Sequence, residues 1–212
     1  MLIKFVNTRW ASLLLLVSVA GCGVSGPGAP RGQALFDNCV PCHGADAAGN
    51  PQIQAPSIAG LPQWYIEAQL RNFQSGLRGA HAEDIPGLRM RPMAVTLNTP
   101  GDISTVAQFV AALPPVVSEG VLLRGNAGAG AAIYGGICIA CHGPEAGGDE
   151  TLGAPPLLGA DDWYLFSQLK NFRAGARGAD LNDPYGLTMR VNAIPLSDET
   201  MVDVLAYIRT LR

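Results

Sequence analysis

Apolar residues recur at helical spacing in two distant stretches that are nearly copies of each other. QWYIEAQLRNFQSG (63–76) sets Tyr65, Ala68, Leu70 and Phe73 among polar neighbours, and DWYLFSQLKNFRAG (162–175) does the same with Tyr164, Leu165, Leu169 and Phe172. Each predicts an amphipathic helix that stops at a glycine, Gly76 or Gly175. A second pair, GDISTVAQFVAAL (101–113) and SDETMVDVLAYIRTL (197–211), opens on the N-cap type residues Asp102 and Ser197, with Glu199 in the first turn of the latter. The stretches GQALFDNC (32–39) and GAAIYGGIC (130–138) predict one further helix in each half. No run alternates with period two, so the expected fold class is all-α.

These pairs belong to one internal duplication. A shift of 99 residues superimposes Cys39, Cys42 and His43 on Cys138, Cys141 and His142, and matches continue without a gap for about fifty residues. They include Pro56 with Pro155, Trp64-Tyr65 with Trp163-Tyr164, Gln69 with Gln168, Arg78-Gly79 with Arg177-Gly178, Gly87 with Gly186 and Met90 with Met189. Two domains are therefore expected, 31–113 and 126–212, joined by a linker at 114–125. The register slips before the first motif: Phe36 lies three residues ahead of Cys39, and Tyr134 four ahead of Cys138. The opening helices are thus expected to pack differently.

Gly and Pro supply 42 of the 212 residues, which fits helices separated by much irregular chain. The first 22 residues have a basic start and an apolar run from Trp10 to Ala20, too short for a bilayer span of about 20 residues but suited to an export signal. Val19-Ala20-Gly21-Cys22 resembles the bacterial lipobox, which implies cleavage before Cys22 and lipidation of that cysteine; an ordinary signal peptide with an incidental Cys22 is the alternative. Residues 22–30 read as a flexible tether. Loss of Lys4 and Arg9 with the signal would move the net charge from −3 to −5, a balance that excludes nucleic acid as a partner.

The chemistry lies in CVPCH (39–43) and CIACH (138–142). Two thiols a helical turn apart, with an imidazole beside them, fit covalent haem attachment: each sulfur takes one vinyl group and the histidine reaches the iron. A structural zinc would need four ligands per metal, and each half offers two cysteines and one histidine besides His81. A disulfide within each pair is the remaining alternative.

With these motifs the chain resembles tandem class I cytochromes c, close to the dihaem cytochrome c4 group, over residues 31–212. The resemblance implies two small helical domains, each wrapped around one covalently bound haem c, facing each other about a pseudo-twofold axis with the propionate edges near the interface. It implies His43 and His142 as proximal iron ligands, and methionines from the loop before the final helix as the sixth ligands. Repeat register selects Met90 and Met189, with Met93 the second choice in the first half, because Met93 matches Asn192 and Met201 matches Asp102 at the same shift. The resemblance further implies that the carbonyls of Pro56 and Pro155 orient the histidines; plain turn prolines are the alternative. Trp64, Tyr65, Trp163 and Tyr164 are expected to line the haem crevices, or else to serve helix packing. Arg78 and Arg177 are expected to pair with propionates, unless they face solvent. His81, which matches Asp180, reads as a surface residue.

Two six-coordinate irons leave no open site for a substrate, so the expected function is one-electron transfer between respiratory donors and acceptors. The protein would sit on the periplasmic side of a bacterial membrane, anchored through Cys22. A non-catalytic subunit of a terminal oxidase or dehydrogenase is the alternative. A dihaem peroxidase is a further one, disfavoured because such an enzyme needs asymmetric ligation and the ligand residues here match. The acidic balance points to partners with basic patches.

Overall fold

The computed structural model describes residues 29–116, 120 and 125–211. The expected signal, residues 22–28 of the tether with Cys22, and most of the linker lie outside them; Ala29 and Pro30, expected in the tether, open the first helix. Ten α-helices are described: α1 (Ala29–Phe36), α2 (Val40–His43), α3 (Gln63–Ser75), α4 (Ile85–Val95) and α5 (Asp102–Ala111) in the first half. The second half holds α6 (Ala127–Ile133), α7 (Ile139–His142), α8 (Asp162–Ala174), α9 (Pro184–Ala193) and α10 (Asp198–Thr210). Among the described residues there is no strand, only two isolated bridges, Asn50 with Ala55 and Asp149 with Ala154, which pinch the loop after each CxxCH.

In each half the first and last helices cross closely. The crossing needs a glycine: a Cβ on Gly32 would lie 2.7 Å from the Phe109 side chain, and one on Gly130 would lie 2.0 Å from the Asp203 carbonyl oxygen. The crossing buries Phe36 against Phe109, ring centroids 5.5 Å apart, and Tyr134 against Tyr207 at 5.4 Å.

The two copies differ where the register slips. In the second half the extra residue is taken up as a single π-helical turn, Tyr134–Cys138, between α6 and α7. Such a turn absorbs one residue without breaking the helix, which keeps Tyr134 at the buried place that Phe36 occupies. The last helices are likewise one residue out of step. The buried trio Val106, Ala107 and Val110 corresponds to Val204, Leu205 and Ile208, a shift of 98. Met201 therefore matches Ile103, not Asp102, and it is a core residue of α10 with 0% exposure.

A helix that periodicity did not predict precedes the last one in each half. Met90 and Met189 lie on α4 and α9, which corrects the expectation that they sit in a loop. Both helices begin at an aspartate cap, Asp84 accepting from Gly87 N at 3.1 Å and Asp183 from Gly186 N at 2.9 Å, with a proline in the first turn. Gly79 and Gly178, at φ +70° and +71°, let the preceding chain touch these helices. A Cβ there would lie 2.3 Å from Gly87 O and 2.2 Å from Gly186 O.

Candidate haem centres

Each CxxCH bends from the end of a helix into a short helical turn, α2 or α7, that closes on a glycine with φ +79° or +77°. The glycine turns the chain back beneath the histidine. His43 Nδ1 then meets Pro56 O at 2.9 Å, and His142 Nδ1 meets Pro155 O at 2.9 Å. A carbonyl accepts, so Nδ1 carries the proton and Nε2 is left with its lone pair, the form that binds a metal. Burial lowers both imidazole pKa values, against a smaller opposing effect of the proline carbonyls, and favours the neutral rings.

The four motif cysteines are free of disulfides: Cys39, Cys138 and Cys141 are half-buried and Cys42 is exposed. Burial, reinforced by the neighbouring cysteine, pushes Cys39 and Cys138 up to about 11. At neutral pH these are thiols rather than thiolates, unlike the reactive sulfurs of redox dithiols. Among the described residues no three His, Cys, Asp or Glu side chains are grouped to hold a metal ion unaided, so the zinc reading lacks its ligand set.

Around the second motif the structure has a cavity of about 570 Å³. Cys138, Cys141, His142 and Met189 all line it, with Leu157, Leu165, Phe172 and Leu205 making an apolar wall. The volume lies in the range of pockets that enclose a small-molecule cofactor, about 300–1,000 Å³. Two thiols, an imidazole and a thioether around one apolar cavity fit a covalently attached haem. In the first half Met90 packs with Cys39 and Leu61 against the buried core, while Met93 is exposed to 37%.

The cavity reaches across the domain boundary, since Trp64, Tyr65 and Gln69 of α3 line it together with Tyr164, Gln168 and Arg177. Trp163 is not among its lining residues; with Phe166 and Lys170 it borders a separate groove, near Pro51 and Gln54 of the first domain.

At the boundary the arginines form a pseudo-symmetric network. Arg78 donates to Gln69 Oε1 (3.0 Å), Tyr164 Oη (2.7 Å) and Gln168 Oε1 (3.1 Å), while Arg177 donates to Gln168 Oε1 (2.8 Å) and Gln69 Oε1 (2.9 Å). Each guanidinium also lies over a phenylalanine of its own domain, Phe73 or Phe172, at 4.5 Å. Arg78 is only 7% exposed and its Nε has no partner in the protein, so a buried cation with donor capacity left over stands behind the cavity-lining Gln69, Tyr164 and Gln168. Burial opposes ionisation of Tyr65 and raises its pKa. At Tyr164 burial acts the same way, but the facing Arg78 and Arg177 outweigh it and draw the phenol below its usual range.

Repeat matching marks Gln69 and Gln168 without revealing that they bridge the halves. Tyr134 went unnoticed as a functional residue, although its buried hydroxyl donates to Gly143 O at 2.7 Å, beside His142, where Phe36 has nothing to offer. A further cross-domain bond has no symmetric copy: Ser57 N donates to Asp161 Oδ2 at 2.8 Å. The matching positions are Pro156, which lacks an N–H, and Pro62, which lacks a carboxylate. His81 is exposed, its Nδ1 accepting from Glu83 N at 3.2 Å.

Comparison with known proteins agrees with this geometry. The Cytochrome c family profile matches twice, over residues 29–114 and 127–212. Cytochrome c4 of Pseudomonas aeruginosa is 30% identical over 97% of this chain and 100% of its own length. A thiosulfate dehydrogenase electron acceptor of Stutzerimonas stutzeri is 33% identical over 80% of this chain and 76% of that protein. The crystal structure of reduced recombinant cytochrome c4 from Pseudomonas stutzeri superimposes with a TM-score of 0.68 at 27% identity, covering 87% of this chain and 98% of that one. Two motif-bearing helical halves, each matched separately by the family profile, establish that the chain belongs to the cytochrome c family as a tandem class I protein with two covalently bound haem c groups.

Proposed function

We propose that the chain carries electrons one at a time between redox partners at the periplasmic face of a bacterial membrane, with His43 and Met90 holding one iron and His142 and Met189 the other. The observation that carries this reading is the cavity on which Cys138, Cys141, His142 and Met189 converge. Haem c supplies reversible one-electron exchange at iron. The chain's own residues do the rest. Pro56 and Pro155 hold the imidazoles by their Nδ1 protons, and the buried phenylalanines and leucines exclude water. Arg78, buried, and Arg177, half-buried, offer positive charge for propionates.

Export and lipidation at Cys22 complete the proposal. The Val19-Ala20-Gly21-Cys22 pattern supports them, and no helix among the described residues is long and apolar enough to cross a membrane. Mass spectrometry of the purified protein tests this: a diacylglyceryl group on an N-terminal Cys22 is expected. The ligand assignment is tested by Met90→Ala and Met189→Ala. Each variant should keep two haems by pyridine haemochrome count, lose half of the methionine–iron charge-transfer band and lower one of two reduction potentials. Loss of the band in Met93→Ala instead would reassign the first iron.

A second reading, the haem-bearing subunit of a larger oxidoreductase, is supported by the resemblance to the thiosulfate dehydrogenase electron acceptor. Co-purification of a catalytic subunit after mild detergent extraction distinguishes it from a free carrier.

A further inference from the structure

We infer that the two domains dock different partners, and that the mouth of the second-domain cavity is the docking face for a redox protein whose basic side chains surround an apolar centre. This rests on the electron-carrier reading above.

The observation is the direction in which the two copies have diverged around the same opening. At the 99-residue shift, Asn50 becomes Asp149, Pro51 becomes Glu150, His81 becomes Asp180 and Arg89 becomes Thr188. With the change from Glu83 to Asn182, which goes the other way, the five second-domain positions carry three negative charges, while their first-domain counterparts cancel. Apolar character shifts in the same stretch: Ala82 becomes Leu181 and Pro86 becomes Tyr185, Ile85 becomes Pro184, and Ile53 and Leu152 both stay apolar.

Glu150, Leu152, Asn182, Tyr185 and Thr188 line one opening, with Asp149, Asp180 and Leu181 as their immediate chain neighbours, and Arg71, ion-paired with Glu67, lines it from the first domain. Glu150, Leu152, Asn182 and Tyr185 all line the cavity while lying open to solvent. Leu152 is 46% exposed, Tyr185 58% and the adjacent Leu181 86%. The Tyr185 ring lies over Gly153, so closely that a Cβ there would be 2.5 Å from the ring, which fixes the ring at the rim. Asp180 is fixed too, accepting from Asn182 N at 2.8 Å and Nδ2 at 2.9 Å. On the first domain the position of Thr188 holds a cation, Arg89, which donates to Ile53 O at 3.0 Å.

Large side chains held open to water at a cavity mouth are the kind that desolvate on docking, and charges around them set partner choice and approach rate. A lysine- or arginine-ringed partner gains on the second domain and meets Arg89 on the first. The face suits a transient encounter, which needs little buried area and is weakened by salt.

The test uses the full dihaem protein, ¹⁵N-labelled, titrated at low salt with a basic mitochondrial-type cytochrome c as probe. Haem count and visible spectrum are verified beforehand, so failure of the carrier reading is seen separately. Amide shifts are expected at 149–153 and 180–188 and not at 50–54 and 81–89, and added salt should reverse them. Glu150→Gln with Asp180→Asn should weaken binding about five- to tenfold at low salt. Leu181→Ser should weaken it at every salt concentration. Leu181 is 86% exposed and outside the cavity lining, and unchanged haem content and melting temperature verify folding. Shifts centred on the first domain, shifts shared equally by both, a concentration-dependent self-association that maps to the same face, or unaltered binding in both variants would each overturn the inference.

Discussion

Replacing Tyr134 by phenylalanine removes one oxygen and leaves the ring. The ring is 1% exposed and packs on Tyr207, so burial of apolar area is unchanged. What is lost is the 2.7 Å hydrogen bond to Gly143 O. That carbonyl also accepts from Ala146 N at 3.2 Å, so it keeps one partner and does not become a buried orphan. The expected cost is therefore that of a neutral hydrogen bond, about 1 kcal/mol, rather than the larger penalty of an unsatisfied group. Tyr134→Ala should cost about 3–5 kcal/mol, because it also opens a cavity beneath α10. Guanidinium unfolding of the dihaem protein, followed by far-ultraviolet circular dichroism, reads both. The first domain is an internal control, since Phe36 already stands at the matching position. If Tyr134→Phe matched the wild type while Tyr134→Ala lost no more than about 1 kcal/mol, or if the first domain's transition moved equally, the packing described for the π-helical turn would be wrong.

Gly178→Ala should destabilise the second domain by more than about 2 kcal/mol, because φ is +71° and the new Cβ would lie 2.2 Å from a backbone oxygen of α9; a shift under 1 kcal/mol in the same unfolding assay would contradict this. Asp102 is held below the usual carboxylate range, chiefly by the Thr99 amide and then by Arg31. Its stabilisation is therefore complete above an unfolded value of about 4 and fades as pH falls through the lower folded value, so Asp102→Asn should flatten the acid limb of stability against pH. Arg78→Ala and Arg177→Ala should be non-additive, with a coupling of about 0.5–3 kcal/mol in a double-mutant cycle, because both arginines share Gln69 and Gln168.

The parts that could be read from the sequence are those carried by local pattern. Helices α3, α5, α8 and α10 have full apolar stripes, and their buried faces include Leu70, Phe73, Val106, Phe172 and Leu205. Helices α4 and α9 escaped because Pro86, Gly87 and Pro92 in one, and Pro184 and Gly186 in the other, read as loop; side-chain caps from Asp84 and Asp183 override that propensity. The one-residue slip at Tyr134 was visible, but not that a π-helical turn would absorb it, since backbone hydrogen-bond pattern leaves little trace in residue type. Arg78 and Arg177 stood out as repeated residues. Their partners across the boundary, up to 108 positions away, depend on how two domains meet, which no local period encodes. The bond from Ser57 to Asp161 lies at unmatched positions, so repeat comparison could not have found it.

In the proposed ligation both irons are closed, each held by an imidazole and a thioether, so that only electrons pass. Carbon monoxide titration of the fully reduced protein, followed in the Soret region, tests it most directly. No binding is expected at neutral pH, with two haems per chain and two one-electron waves in a redox titration of the same sample. Uptake of one carbon monoxide per chain would mean that one iron is open.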